Sequence, residues 1–164
     1  MNKERYEKWM RYWDEHPERI SAVQFLTNLL SIYFIYAYLD LLFMNRDSNK
    51  LIALLAVPGI AFALLTLLRA LINGPRPSEV YGIPAAVYRK NSGHSFPSRH
   101  TFSAFMIAFS AFYAGFPNWG ILLLVLAAAI ALMRVISGLH FVSDVAAGAL
   151  AALAAALIGY GLFF

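Results

Sequence analysis

The sequence predicts an all-α integral membrane bundle of about five transmembrane helices, preceded by an N-terminal interfacial amphipathic helix. Three observations lead there. Hydrophobic residues make up 60% of the 164, well above the roughly 45–50% of soluble domains. Charge is largely confined to residues 1–19, 45–50 and 69–100. Between these stretches run apolar segments long enough to cross a hydrocarbon core of about 30 Å, where only helices or closed barrels satisfy the backbone.

The elements follow in order. Tyr6, Trp9, Met10 and Trp13 recur at helical spacing, with Lys3, Glu4, Glu7, Lys8, Arg11 and Asp14 on other faces. That pattern predicts an interfacial helix over residues 1–19 with aromatic anchors at headgroup depth. Pro17 punctuates the entry to the first span. The spans are expected at Ile20–Met44, Leu51–Asn73, His100–Phe116, Trp119–Leu139 and Val142–Phe164. The first is long and follows mixed charge, so it does not read as a cleavable signal peptide. The last is rich in Ala and Gly, which lets membrane helices approach closely, here for packing inside one small bundle. The whole chain, 1–164, reads as a single membrane-embedded domain.

The charge pattern excludes several classes. A net charge of +4 suits anionic headgroups, but spans interrupt it and no nucleic-acid stripe forms. There is no cysteine, so disulfides and thiolate metal sites are excluded.

Five alternating spans bring every unusual residue to one face, the face that carries the N-terminus. Arg69 and Arg76 close the second span, Pro97-Ser98-Arg99-His100 opens the third, Arg134 closes the fourth, and His140 and Asp144 open the fifth. Ionisable groups inside a membrane cost about 2.5–3.5 kcal/mol each at its centre and less toward the interface. Four arginines sharing one face form a site for a phosphate-like anion, since guanidinium forks match phosphate oxygens in pairs. Ser98 is placed to cap a helix whose free N–H groups and dipole favour the same anion. His140 and Asp144 are one helical turn apart. A carboxylate that binds one ring nitrogen leaves the other free as a nucleophile, and His100 is placed to protonate a leaving oxygen. A metal held by His94, His100, His140 and Asp144 is disfavoured because the arginines repel cations.

These residues resemble the type 2 phosphatidic acid phosphatase family, related to vanadium haloperoxidases and bacterial acid phosphatases. The family pattern is Lys-x6-Arg-Pro, Pro-Ser-Gly-His and Ser-Arg-x5-His-x3-Asp. Here it reads Arg69-x6-Arg76-Pro77, Pro97-Ser98-Arg99-His100 and Arg134-x5-His140-x3-Asp144, within residues 69–148. The resemblance implies His140 as nucleophile, Asp144 as its orienting partner and His100 as general acid. It implies Arg69, Arg76, Ser98, Arg99 and Arg134 as phosphate holders, with no metal and no cofactor. Three departures stand out: Arg69 for Lys, Arg99 for Gly, and Met133 where Ser begins the third motif. A competing frame, Ser92-Gly93-His94, lacks the preceding Pro, and His94 is placed at the entrance instead.

The resemblance implies a lipid phosphatase that removes a terminal phosphate from a membrane lipid phosphate or pyrophosphate through a phosphohistidine. Undecaprenyl pyrophosphate, phosphatidylglycerophosphate and phosphatidate types all fit. The compact plan is similar to undecaprenyl pyrophosphate phosphatases of the bacitracin-resistance type. The rival readings are a lipid-to-lipid phosphotransferase with the same site and a non-catalytic protein that binds or translocates anionic lipids. The expected location is the bacterial cytoplasmic (inner) membrane. Counting Lys3, Arg5, Lys8, Arg11, Arg19, Arg89 and Lys90 against Arg46 and Lys50 favours a cytoplasmic site. The resemblance implies the outer face, and that is the expectation here.

Overall fold

The computed structural model describes residues 2–45, 47–87 and 93–163, which contain seven helices and no strand. Arg46, Arg89, Lys90 and Ser92, which entered the charge count or the competing motif frame, lie outside the described residues. Helix α1 spans Lys3–Asp14, α2 Pro17–Met44, α3 Ser48–Ile72, α4 Pro77–Tyr81, α5 Arg99–Tyr113, α6 Pro117–Ile136 and α7 Val142–Gly161.

Local chemistry sets the boundaries. Asn2 Oδ1 accepts from Arg5 N at 3.0 Å and opens α1. Pro17 and Pro117 stand at the starts of α2 and α6, where the missing N–H costs nothing. The Asp47 carboxylate caps α3 by accepting from Asn49 N. Asn73, left-handed with φ 43°, ends α3.

Four helical stretches are long and apolar enough to cross a membrane: α2, Asn49–Tyr81 containing α3, α6 and α7. Their outward faces carry large exposed hydrophobics, such as Phe25 and Ile32 on α2, Leu64 on α3, and Leu150 and Leu157 on α7. Soluble proteins do not expose apolar surface on that scale, and the chain is an integral membrane protein. The expected third span, His100–Phe116, is α5 at Arg99–Tyr113, only 15 residues. That length is about 22 Å, short of the hydrocarbon thickness. Its position explains the difference. From Thr101 to Ala111 no residue is exposed, because α6, α7, α3 and α2 all pack against it. The segment leading into it, with Ser95, Pro97 and Ser98 fully buried, is irregular backbone satisfied by protein, as the membrane interior requires.

Small residues in α7 make this packing possible. A Cβ on Gly148 would lie 2.7 Å from Ser98 O at the head of α5, and one on Gly159 would lie 2.4 Å from Val57 Cγ1 of α3. The Ala/Gly stripe therefore serves close approach within one bundle. Deeper in the bundle, Ser110 Oγ and the Tyr160 hydroxyl lie 2.7 Å apart, and Tyr160 stacks on Tyr113 at 4.2 Å.

The aromatic stripe of α1 divides. Trp9 and Trp13 are half-buried, but Tyr6 and Met10 are buried completely or nearly so. These two face protein instead of headgroups: they pack on Gly138, in the turn joining α6 to α7. Periodicity marks an apolar face without saying what covers it.

Candidate active site

The bundle brings the unusual residues to one end. Arg69 lies in the last turn of α3, Arg134 in the last turn of α6, Ser98 at the N-cap of α5, and Asp144 in the first turn of α7. His140 sits in the turn before α7 and is 2% exposed. Its Nδ1 lies 3.3 Å from Asp144 Oδ2 and 3.3 Å from Ser95 Oγ.

Ser95 is the residue that sequence reasoning missed. Its hydroxyl donates to Asp144 Oδ2 at 2.5 Å. With its single proton committed there, Ser95 Oγ faces His140 as an acceptor. Both neighbours of Nδ1 then accept, so Nδ1 carries the proton and Nε2 keeps the lone pair. Phe141 N also donates to Asp144 Oδ2 at 3.0 Å, and Ser98 N donates to Asp144 O at 2.9 Å. Asp144, through its carboxylate to Ser95 and its backbone carbonyl to Ser98, thus ties the head of α7 to the loop before α5. The only sequence hint of Ser95 is its place two residues before Pro97.

Arg69, Arg76 and Arg134 are all buried, at 5%, 4% and 8% exposure. Asp144 is the sole buried carboxylate among the described residues. This leaves an excess of buried positive charge, which is costly unless an anion joins it. Burial pushes the His140 imidazole down to about 4, with Arg134 and Arg76 acting in the same direction against the upward pull of Asp144. The ring is therefore neutral at ordinary pH.

Several expected residues carry structural work as well. Arg69 Nη1 donates to Pro97 O at 2.6 Å and Ser95 O at 3.2 Å, so it holds the loop leading into α5. Arg76 Nη1 donates to Leu139 O at 3.0 Å, beside His140. Ser98 occupies the N-cap position, but its side chain makes no capping bond; its hydroxyl accepts from Thr101 Oγ1 at 3.2 Å. Met133, where the motif resemblance has Ser, turns its sulfur to α2, accepting from Thr27 Oγ1 at 3.2 Å. Glu79 was also unforeseen. It accepts from Arg76 N at 2.8 Å and from Gly93 N at 2.6 Å, tying the first motif to the approach of the second.

His100 and Arg99 are less enclosed. His100 is exposed and Arg99 half-buried. Both line a cavity of about 320 Å³ whose walls include Phe34, Ile35, Phe62 and Ile107 from α2, α3 and α5. Arg99 also lines a smaller cavity of about 160 Å³ with Arg69, Thr66 and His94. His94 is exposed at φ 51°, with Nδ1 3.3 Å from Arg69 O.

Helix α1 covers the turn that carries His140. Tyr6 OH donates to Gly138 O at 3.3 Å, and its ring lies 5.1 Å from that of Tyr81, which stands 6.0 Å from Phe141. Burial, then the neighbouring Tyr81, pushes the Tyr6 hydroxyl up to about 12, which keeps it a donor. Gly138 has φ 71°, and a Cβ there would lie 2.8 Å from both Tyr6 OH and Met10 Sδ. Glycine suits both the left-handed backbone and the close seat of α1.

The PAP2 superfamily family model matches residues 50–164. Among solved structures, Aquifex aeolicus LpxE superposes with a TM-score of 0.72 at 25% identity, covering 94% of this chain and 93% of that one. A PAP2 type phosphatidylglycerolphosphate phosphatase from Bacillus subtilis superposes with a TM-score of 0.68, covering 97% and 84%. At 23% identity, the latter likeness speaks to the fold alone. No curated protein matches the sequence.

Proposed function

The chain belongs to the PAP2 superfamily, and from that premise we propose that it is a lipid phosphatase releasing phosphate from a membrane lipid phosphate or diphosphate. The observation that carries the reading is the arrangement around His140. Asp144 and Ser95 both face Nδ1 at 3.3 Å, which leaves the Nε2 lone pair available as a nucleophile beside three buried arginines.

In the proposed reaction, Nε2 attacks phosphorus and an N–P bond forms as the bond from phosphorus to the lipid oxygen breaks. The bonding pair leaves on that oxygen, which takes a proton from His100. The mouth of the apolar cavity, where His100 stands, is where a lipid phosphate would pass from head to tail. Asp144 stabilises the positive charge that the imidazole gains. Arg69, Arg76, Arg99 and Arg134, with Ser98, neutralise the phosphate and the added charge of its transition state. Water then attacks the phosphohistidine and returns its proton to His100, releasing inorganic phosphate and neutral His140. The chemistry proposed needs neither metal nor cofactor. The substrate comes from the bilayer, and the proposed setting is the inner membrane with the site on its outer face.

The test is phosphate release by the purified protein in detergent with chelator, beside His140→Ala. Rapid quench with a ³²P-labelled substrate should trap acid-labile, alkali-stable label on the wild-type protein alone. Equal release from both proteins would remove the reading. Label arriving on a second lipid in place of water would make the enzyme a phosphotransferase. Orientation is measurable because the chain has no cysteine: Pro84→Cys, and not Asp47→Cys, should react with an impermeant thiol reagent outside intact cells.

A further inference from the structure

Tyr6 of α1 reaches the His140 turn on both sides of the histidine. Upstream, its hydroxyl donates to Gly138 O at 3.3 Å. Downstream, its ring lies 5.1 Å from that of Tyr81, which stands edge-on at 6.0 Å from Phe141, the residue after His140. Arg76, at the other end of α4, donates to Leu139 O at 3.0 Å. Residues 138, 139 and 141 are therefore each gripped from α1 or α4, with His140 between them.

The grip matters because the imidazole itself is held less tightly. Nδ1 lies 3.3 Å from both Asp144 Oδ2 and Ser95 Oγ, just beyond the usual range of about 2.7–3.2 Å. Contacts of that length assign the proton better than they aim Nε2. The aim then depends on the backbone of residues 138–141, which begins with a left-handed Gly138 at φ 71°.

Helix α1 commits what it buries to this turn. Tyr6 and Met10 are its two buried residues, and a Cβ on Gly138 would lie 2.8 Å from each. Lys3, Glu4, Glu7, Lys8 and Arg11 are exposed. An amphipathic helix beside a bilayer can lay its apolar stripe among lipid; this one gives the centre of its stripe to the turn that carries the nucleophile. The family model begins at residue 50, so the motif residues account for nothing on α1.

We propose that Tyr6 is a positioning residue: acting on Gly138 directly, and on Phe141 through Tyr81, it fixes the turn so that His140 Nε2 faces phosphorus. This role rests on the lipid phosphatase reading and concerns its nucleophile. The ring carries most of it, since the ring is fully buried while the hydroxyl makes one long bond. Enclosed in this way, Tyr6 does not meet the substrate. Its loss slows formation of the N–P bond and leaves substrate binding in place.

The test is a single-turnover rapid quench with protein in excess. The probe is whichever terminally ³²P-labelled lipid wild type consumes fastest among phosphatidate, phosphatidylglycerophosphate and farnesyl diphosphate. The quantity read is the rate constant for loss of label from the lipid at saturating protein, which does not depend on how much of a variant is misfolded. Tyr6→Ala should lower it on the order of tenfold, short of the roughly 10²-fold that a 1 Å misplacement can cost. The half-saturating concentration of folded protein should stay near the wild-type value. Tyr6→Phe keeps the ring and should recover most of the rate. Tyr81→Ala should slow the same step, and the double variant should lose less than the product of the two single losses, because both act through one turn. Lys8→Ala, on the exposed face of α1, should match wild type. If Tyr6→Ala yields no folded protein, Tyr6→Leu and Tyr81→Ala make the same comparison. A wild-type rate constant in Tyr6→Ala, even with a lower thermal midpoint, would overturn the proposal and leave α1 a cover only. So would a loss confined to half-saturation, or an equal loss in Lys8→Ala. Consumption of none of the three lipids beyond that by His140→Ala would remove the phosphatase reading and this inference with it.

Discussion

His140 and His100 both stand where a helix opens, one in the turn before α7 and the other on the first turn of α5, yet their surroundings are opposite. His140 is buried, with its Nδ1 facing a carboxylate and a hydroxyl and its loop covered by α1. His100 is exposed at the edge of an apolar cavity. The difference follows from the two tasks proposed for them. A nucleophile must present one lone pair in one direction, and fixing it in advance removes reorganisation from the reaction. A general acid that meets many leaving groups has to sit where the variable part of the substrate arrives.

The largest effect expected from breaking this contrast comes from the histidines themselves. His140→Ala should lower turnover by at least about 10³-fold, whatever the leaving group. His100→Ala should cost about 10²-fold or more with a lipid monoester. It should cost far less with p-nitrophenyl phosphate, whose leaving oxygen needs no proton. Steady-state rates on both substrates decide this, and equal losses for His100→Ala on the two would end its assignment as acid.

The locked half can be loosened without removing the nucleophile. Ser95→Ala deletes the acceptor near Nδ1 and the donor to Asp144. It should lower kcat on the order of tenfold with little change in KM, since one buried hydrogen bond is worth about 1 kcal/mol. A loss in KM alone would place Ser95 in substrate binding.

The pH profile sharpens the electrostatic side. His140 is held down to about 4 by burial together with Arg134 and Arg76. Only the neutral ring attacks, so kcat/KM should hold as pH falls until it approaches that value and then decline. Arg134→Gln removes a cation that opposes protonation. The folded-state pKa of His140 therefore rises, and the acid limb moves toward neutral pH; Arg134→Lys should leave the limb near its place. The same shift bears on stability. Folding favours the neutral ring, so that contribution is complete above about 6.5, the unfolded value, and declines as pH falls toward 4.

The smallest effects lie in the cover. Gly138→Ala forces a Cβ into a left-handed backbone against Tyr6 and Met10. It should cost about 1–2 kcal/mol for the conformation alone, visible as a lower thermal midpoint in detergent. Tyr6→Phe removes only the 3.3 Å bond to Gly138 O and should cost about 1 kcal/mol or less. If Tyr6→Phe cost as much as Gly138→Ala, the hydroxyl, not the close packing, would dominate the seat of α1.

The two halves also differ in how much of them the sequence discloses. His140 and Asp144 are four residues apart, so a helical period links them before any fold is known. The apolar runs located α2, α3, α6 and α7, because lipid leaves a helix no alternative. Alternation of spans was enough to gather Arg69, Arg134 and the histidines at one end. Ser95 gave no such signal, since its partners lie 45 and 49 residues away and a lone serine in a loop has no period. Glu79 was hidden for the same reason.

Composition and periodicity thus determined, by themselves, a membrane bundle with an arginine-rich, histidine-bearing end, because hydrophobic length and helical spacing are local properties. Tertiary structure alone decided that α5 is a short helix enclosed by its neighbours, that Arg69 and Arg76 also fasten loops, and that α1 sits over the His140 turn. It also decided that Arg99 lines two separate cavities. Each of these depends on which surfaces meet across the bundle, and packing between distant segments leaves no repeat in the chain from which it could be read.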